Sequence, residues 1–149
     1  MSNGLAIALW LLGSASAGTG PQSTCARDVQ AAATAYRLSD LPSDISGDLT
    51  SLAGQFGDRV ADSDAPLLQT DAPTAAERGH PRVRFAQAML VGDKWFVQFE
   101  VSQFAGVRTV TYVRHQDGRF RRSPAHYFGG PACASIKAAV ERVTTPGGF

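Results

Sequence analysis

Most of the motifs that identify a catalytic or metal-binding protein are missing from these 149 residues. There is no GxSxG nucleophile motif, no glycine-rich phosphate loop, no HExxH pair and no cysteine pattern spaced for zinc. Histidine occurs only three times, as His80, His115 and His126, and these positions are far apart in the chain. The sequence therefore predicts no cofactor and no metal site, and it does not by itself identify a function.

The chain also lacks an apolar run of the length that spans a bilayer, which is about 20 residues. The run Leu5–Leu12, LAIALWLL, is shorter and is followed by Ala15-Ser16-Ala17, a small-x-small pattern typical of signal cleavage. We predict a signal peptide over residues 1–17, a single small domain over 18–149, and a periplasmic or secreted location. No Lys or Arg precedes the run, which is atypical for a signal, and the alternative is an N-terminal core helix.

Cysteine is scarce, with only Cys25 and Cys133 present. An even pair in an exported protein predicts a disulfide, and each cysteine lies on the apolar face of a predicted helix. The bridge would then join the two terminal helices. On the chain-entropy model, closing a loop of about 100 residues stabilises a fold by roughly 4.7 kcal/mol. The alternative is two free, buried thiols.

Neither sign of charge is in excess, since 14 basic residues face 13 acidic ones for a net charge of +1. Nucleic-acid binding needs a stronger basic excess, so we predict no nucleic-acid partner. The distribution is uneven: residues 18–81 hold four arginines against nine acids, and residues 82–149 hold ten basic residues against four acids. Either the two halves pack together and neutralise one another, or the basic half binds an anionic ligand.

The apolar residues that are present recur at helical spacing in residues 25–36, 43–56 and 131–143. Residues 58–81 have no period and read as a long connection. Four strand-like runs follow it, which are Arg82–Val91, Lys94–Gln103, Val107–His115 and Arg119–Ser123. The predicted fold is α+β: N-terminal helices, a four-stranded antiparallel meander and a C-terminal helix. This order resembles cystatin-like and NTF2-like architectures, a likeness of element order that implies no function.

Turn positions at Gly92-Asp93, Phe104-Ala105-Gly106 and Asp117-Gly118 set a register for the meander and so divide its residues between two faces. One face is predicted to be a core on which all the helices lie. The other face mixes aromatic residues with arginine and glutamine, a composition enriched at interfaces and suited to anions. Its predicted ligand- or partner-binding residues are Phe85, Phe96, Gln98, Tyr112, Arg114 and Arg121.

Three functional hypotheses are open. The first is a non-enzymatic exported domain that binds an unidentified protein partner or a small anionic ligand. The second is a small exported enzyme in which His80, His115 or His126 is a general base under the 58–81 loop. The third is a structural protein whose aromatic face pairs with a second copy as a homodimer. Against all three stands a simpler interpretation, in which residues 58–81 or the YFGG loop cover the face.

The signal peptide is checked by the intact mass of the protein recovered from the medium or the periplasm. We expect the mature chain to begin at Gly18, because cleavage follows the Ala15-Ser16-Ala17 pattern. A recovered protein that still begins at Met1 would contradict the prediction.

Overall fold

A computed structural model of the chain describes residues 21–55, 59–70, 72–102, 106–124 and 129–144. The elements within these ranges are α1 (Pro21–Asp28), β1 (Ala33–Ala35), α2 (Ser43–Gly54), β2 (Val60–Ala61), β3 (Val83–Val91), β4 (Lys94–Val101), β5 (Val107–Arg114), β6 (Phe120–Arg122) and α3 (Ala132–Thr144). The predicted α+β fold is confirmed. The predicted signal peptide and His126 lie outside the described residues. No helix in the described part of the chain has the length and apolar content to cross a bilayer.

The sheet is built around the predicted meander, in which β3, β4, β5 and β6 pair antiparallel in chain order. Two short strands that the sequence did not reveal lie on the outer edge of β3. β1 pairs with it antiparallel, and β2, which comes from the segment 58–81, pairs with it parallel. Part of the long connection therefore extends the edge of the sheet.

Both faces of the sheet are covered by helices. Ile45, Leu49 and Ala53 of α2 pack on one face, here called the α2 face, against residues that include Trp95 and Val97. The opposite face, here called the α1/α3 face, carries a second apolar cluster, whose fully packed members are Cys25, Val29, Met89, Phe96, Ile136 and Ala139. The prediction that all helices lie on one face is therefore wrong.

The register of the meander differs from the prediction in three places. The Gly92-Asp93 turn does set Leu90 opposite Trp95, but the pairing shifts between Phe85 and Gln87 at a β-bulge. Between β4 and β5, Trp95 pairs with Tyr112, whereas the predicted loop would place it opposite His115. The register is therefore shifted by three residues, an odd number. Side chains alternate along a strand, so an odd shift moves every residue of β5 to the other face.

The last hairpin has a three-residue loop instead of the predicted two-residue one. The amide of His115 donates to the carbonyl of Arg119 over 2.8 Å, which leaves Gln116, Asp117 and Gly118 as the loop. Gly118 has a φ of +79°, the left-handed conformation that ends a three-residue hairpin loop. Arg114 consequently pairs with Phe120.

A disulfide joins Cys25 of α1 to Cys133 of α3 across a sequence separation of 108 residues, as the sequence predicted. The Cα atoms are 5.5 Å apart, within the usual range for such a bridge. The Lys137 ammonium lies 2.6 Å from the Asp28 carboxylate and joins the same two helices. These contacts hold α1 over the α1/α3 face.

Helix α1 is shorter than its apolar spacing predicted, because it ends in a Schellman motif. The amide of Ala31 donates to the carbonyl of Ala26, and the amide of Gln30 donates to that of Arg27. Gln30 occupies the left-handed position with a φ of +56°. Glycine usually fills this position. Because the sequence has glutamine here, it gave no signal that the helix ends. The chain can then enter β1.

Two carboxylates one turn apart fix α2 to the last hairpin. Asp44 accepts the backbone amide of Phe120, and Asp48 accepts the Tyr112 hydroxyl over 2.7 Å. The Arg122 guanidinium lies 3.4 Å from the same Asp48 oxygen. These contacts join the acidic and basic halves of the chain, which supports the interpretation that the halves neutralise one another. Burial, followed by the hydrogen bond to Asp48, raises the pKa of Tyr112, so the hydroxyl stays neutral and donates.

Removing either partner of the Tyr112–Asp48 bond should lower the free energy of unfolding, but to different extents. Tyr112→Phe should cost about 1.5 kcal/mol, because the bond to a charged acceptor is lost and water can reach the half-exposed Asp48. Asp48→Ala should cost more, about 2–3 kcal/mol, because it leaves the Tyr112 hydroxyl buried without an acceptor.

Urea unfolding at neutral pH measures both changes. Tyr36→Phe is the matched control, because Tyr36 is 39% exposed. Equal losses for Tyr112→Phe and Asp48→Ala would contradict the assigned asymmetry.

Candidate functional site

The six residues predicted to share a binding face are divided between the two faces of the sheet. Phe85 and Tyr112 point to the α2 face, and both are fully buried. Phe96 packs in the α1/α3 cluster with 1% of its surface exposed. Gln98 lies on that same face, since it follows Phe96 by two residues in β4, and it is also buried. The prediction that the six residues share one face is therefore wrong. The β3 bulge moves Phe85, and the β4–β5 register moves Tyr112 and Arg114, to the opposite face from the one predicted.

Phe96 packs beneath the two helices that the disulfide joins. Its cluster includes Ile136 and Ala139 of α3 and Cys25 of α1. The simpler interpretation named residues 58–81 or the YFGG loop as the cover, but these two helices provide it. The burial also removes the exposed aromatic surface on which the homodimer hypothesis rested, although the oligomeric state itself stays a prediction.

Gln98 belongs to a buried polar network that the sequence analysis missed. Its side-chain oxygen accepts from Gln87 over 2.7 Å, and its nitrogen donates to Thr109 and to the carbonyl of Ala132. The Thr109 and Ser135 hydroxyls are 2.6 Å apart. These contacts attach the first turn of α3 to three strands. The available signal was Gln98 itself, which was predicted to belong to the binding face.

Arg114 and Arg121, by contrast, lie at the surface, where the β5–β6 hairpin ends. Arg114 is on the α2 face and places its guanidinium carbon 4.8 Å from the centre of the Phe120 ring. Arg121 is on the opposite face, next to Val113 in the neighbouring strand. Val113 is in turn the cross-strand neighbour of Lys94. Lys94, Val113 and Arg121 thus form a row across three strands.

We call this edge of the molecule the basic end, and define it as Lys94, Arg114, His115, Arg119 and Arg121. Four of its side chains are cations, and the nearby turn carboxylates of Asp93 and Asp117 bring the net charge to +2 with His115 neutral. All five residues come from two hairpin ends that the strand register places side by side. Their positions follow from sheet geometry.

Each of the two turn aspartates forms an ion pair with a cation of the basic end. Lys94 contacts Asp93 over 2.6 Å, and Arg121 contacts Asp117 over 2.7 Å. The hydrogen bond from Lys94 lowers the pKa of Asp93, and Arg114 contributes in the same direction. The pKa of Asp117 is lowered first by the backbone amide of Arg119 and then by Arg121. Both carboxylates are therefore ionised at neutral pH.

A groove of about 460 Å³ opens at the hairpin. It is lined by Val113, Arg114, His115, Gln116, Asp117 and Arg121. Guanidinium and imidazole groups donate hydrogen bonds to carboxylate and phosphate oxygens, and arginine does so in a planar fork. The chemistry that the groove offers is recognition of an anion.

The structure does not bring the described histidines together. His80 precedes the start of β3, which pairs with the end of β4, whereas His115 follows β5 near the start of β4. The two histidines are thus near opposite ends of β4, whose eight residues span about 24 Å. Within the described ranges, no three His, Cys, Asp or Glu side chains are grouped so as to hold a metal ion.

Comparison with known proteins finds no matching family model, no matching curated protein and no matching solved structure.

Alanine substitution tests whether Phe96 is a core residue or a surface residue. Phe96→Ala should lower the free energy of unfolding by about 3–5 kcal/mol, because it leaves a cavity beneath α1 and α3. Arg121→Ala, at an exposed position, should change it by less than about 0.5 kcal/mol.

Urea unfolding with the disulfide intact measures both variants. A Phe96→Ala protein as stable as the wild type would restore Phe96 as a surface residue and contradict its assignment to the core.

Proposed function

We propose that this chain is an exported, non-enzymatic domain that binds an anionic ligand or partner through its basic end. The observation that carries the proposal is a groove lined by Arg114, His115 and Arg121, beside which the strand register places Lys94 of the neighbouring hairpin. The sequence suggested anion binding by a mixed aromatic and arginine face. Burial of the aromatic residues limits the proposal to the charged part of that set, Arg114 and Arg121, together with their neighbours.

The contacts of Arg114 support its use in recognition. Arg114 stacks over Phe120, and the Phe120 amide is held by Asp44 of α2. Strands position side chains more accurately than loops do, and a guanidinium held on an aromatic ring has less freedom to lose when a ligand binds. A fixed guanidinium therefore favours specific anion contacts over diffuse attraction.

The disulfide supports the exported part of the proposal. Bridges such as Cys25–Cys133 persist in oxidising compartments and are rare where glutathione keeps thiols reduced. A bridge that closes a loop of this length is also expected to add substantially to stability outside the cell. The proposed location is accordingly the periplasm or the extracellular medium.

Titration of the isotope-labelled protein with inorganic phosphate and with citrate tests the function. We expect amide chemical shifts to change for residues 92–94 and 113–121 and to saturate with each anion. Arg114→Ala combined with Arg121→Ala should weaken binding at least tenfold, because two direct charge-assisted contacts are lost. Higher salt should weaken binding in the wild type as well.

Arg78→Ala is the matched control, since it removes one exposed positive charge from the segment before β3, at the opposite end of the sheet. It should leave the affinity within twofold of the wild type. Shift changes scattered over the whole surface, or equal losses in the control and the double variant, would refute a specific site at the basic end.

A further inference from the structure

The proposed function does not say which class of anion is bound. The row Lys94–Val113–Arg121 favours one class over the others. We infer that the basic end binds an acidic peptide segment that presents two carboxylates, one to Lys94 and one to Arg121. This inference rests on the proposed function and adds the class of ligand.

The spacing of the two cations is the first step. Lys94 and Arg121 lie on the same face of the sheet, on β4 and β6, with Val113 of β5 between them. Neighbouring strands are about 4.8 Å apart, so the two Cα atoms are separated by about 10 Å. The side chains also extend to different turns, since Lys94 contacts Asp93 and Arg121 contacts Asp117. In these positions the two cations face separate carboxylates, so a ligand with two separated carboxylates matches them better than a single small anion does.

The resident carboxylates supply the second step. In the unbound protein each cation is already paired with a carboxylate, at 2.6 Å for Lys94 and 2.7 Å for Arg121. The aspartate side chains are 66% and 43% exposed, and exposed ion pairs contribute only about 0–1 kcal/mol. A partner's carboxylate can replace each of them in the same geometry at little cost, and the carboxylate oxygens released from Lys94 and Arg121 are then hydrated.

The third step is the fit of a peptide to this row. In an extended peptide, alternate side chains lie on one side and are about 7 Å apart. Two glutamates at alternate positions can therefore reach Lys94 and Arg121, given the length of all four side chains. The half-buried Val113 lies between the two cations and offers an apolar contact to the peptide backbone and side-chain stems.

Fluorescence anisotropy with three labelled peptides tests the inference. The probes are Gly-Glu-Gly-Glu-Gly, Gly-Glu-Gly-Gln-Gly and Gly-Gln-Gly-Gln-Gly, each with blocked ends. We expect the two-glutamate peptide to bind severalfold more tightly than the one-glutamate peptide. The peptide without glutamate should not bind. Lys94→Ala and Arg121→Ala should each reduce the affinity for the two-glutamate peptide to that for the one-glutamate peptide.

Removing the carboxylates of Asp93 and Asp117, which compete with the peptide for Lys94 and Arg121, should tighten binding. A purely structural role of the two cations would not give this result. Asp117→Asn keeps an oxygen for the Arg119 amide but releases Arg121, so it should tighten binding of the two-glutamate peptide severalfold. Asp93→Asn should act in the same direction on Lys94. Asp64→Asn, on an exposed loop, adds the same charge elsewhere and should leave the affinity within twofold.

The outcomes separate this inference from the function on which it rests. If phosphate or citrate binds at the basic end but the second glutamate adds no affinity, the function stands and the acidic-peptide inference is overturned. If a sulfated oligosaccharide binds tenfold more tightly than any peptide and needs Lys94 and Arg121, the ligand class is wrong. If no anion binds at the basic end, both proposals are overturned.

Discussion

The burial of both faces of β4 is the constraint on which the rest of this structure depends. Trp95 and Val97 point to one side of the strand, and Phe96 and Gln98 point to the other. A strand with large apolar groups on both faces is stable only when both are removed from water. Helix α2 covers one face through Ile45 and Leu49. The other face requires α1 and α3, which come from opposite ends of the described chain, and the disulfide holds them together.

Polar side chains determine the position of α3 on the α1/α3 face. The apolar cluster on the α1/α3 face is the smaller of the two, and the network of Gln98, Thr109 and Ser135 continues the contact with α3 beyond it. A buried polar group without a partner costs about 1–3 kcal/mol, so α3 is favoured in the one position that satisfies these groups. Just before α3, the backbone of Gly130 approaches that of Gly106 closely. Only glycine fits at position 106, because a Cβ there would lie 2.5 Å from the Gly130 carbonyl oxygen.

The order of elements could be predicted because it depends on local patterns. Turn residues, apolar periodicity and the cysteine pair indicated the meander, the terminal helices and their bridge. Three of the missed features have no local signal. Gln30 ends α1 in a position where glycine is usual, and a bulge of one residue before Gln87 reverses the faces of Phe85. The β4–β5 register is set by packing of Tyr112 under α2 and its bond to Asp48, which involves residues 64 positions apart.

That register also determines what the surface can do. With Tyr112 opposite Trp95, Arg114 lies over Phe120 on the α2 face, and Val113 lies between Lys94 and Arg121 on the other. A shift of β5 by one residue would put Thr111 or Val113 in place of Tyr112, which would break the bond to Asp48 and interrupt the row of Lys94, Val113 and Arg121. A buried polar group that loses its partner costs about 1–3 kcal/mol, which disfavours the shifted register. The tyrosine that fixes α2 on the sheet is therefore also what positions the cations of the basic end, which explains why this charged surface could not be read before the core beneath it was known.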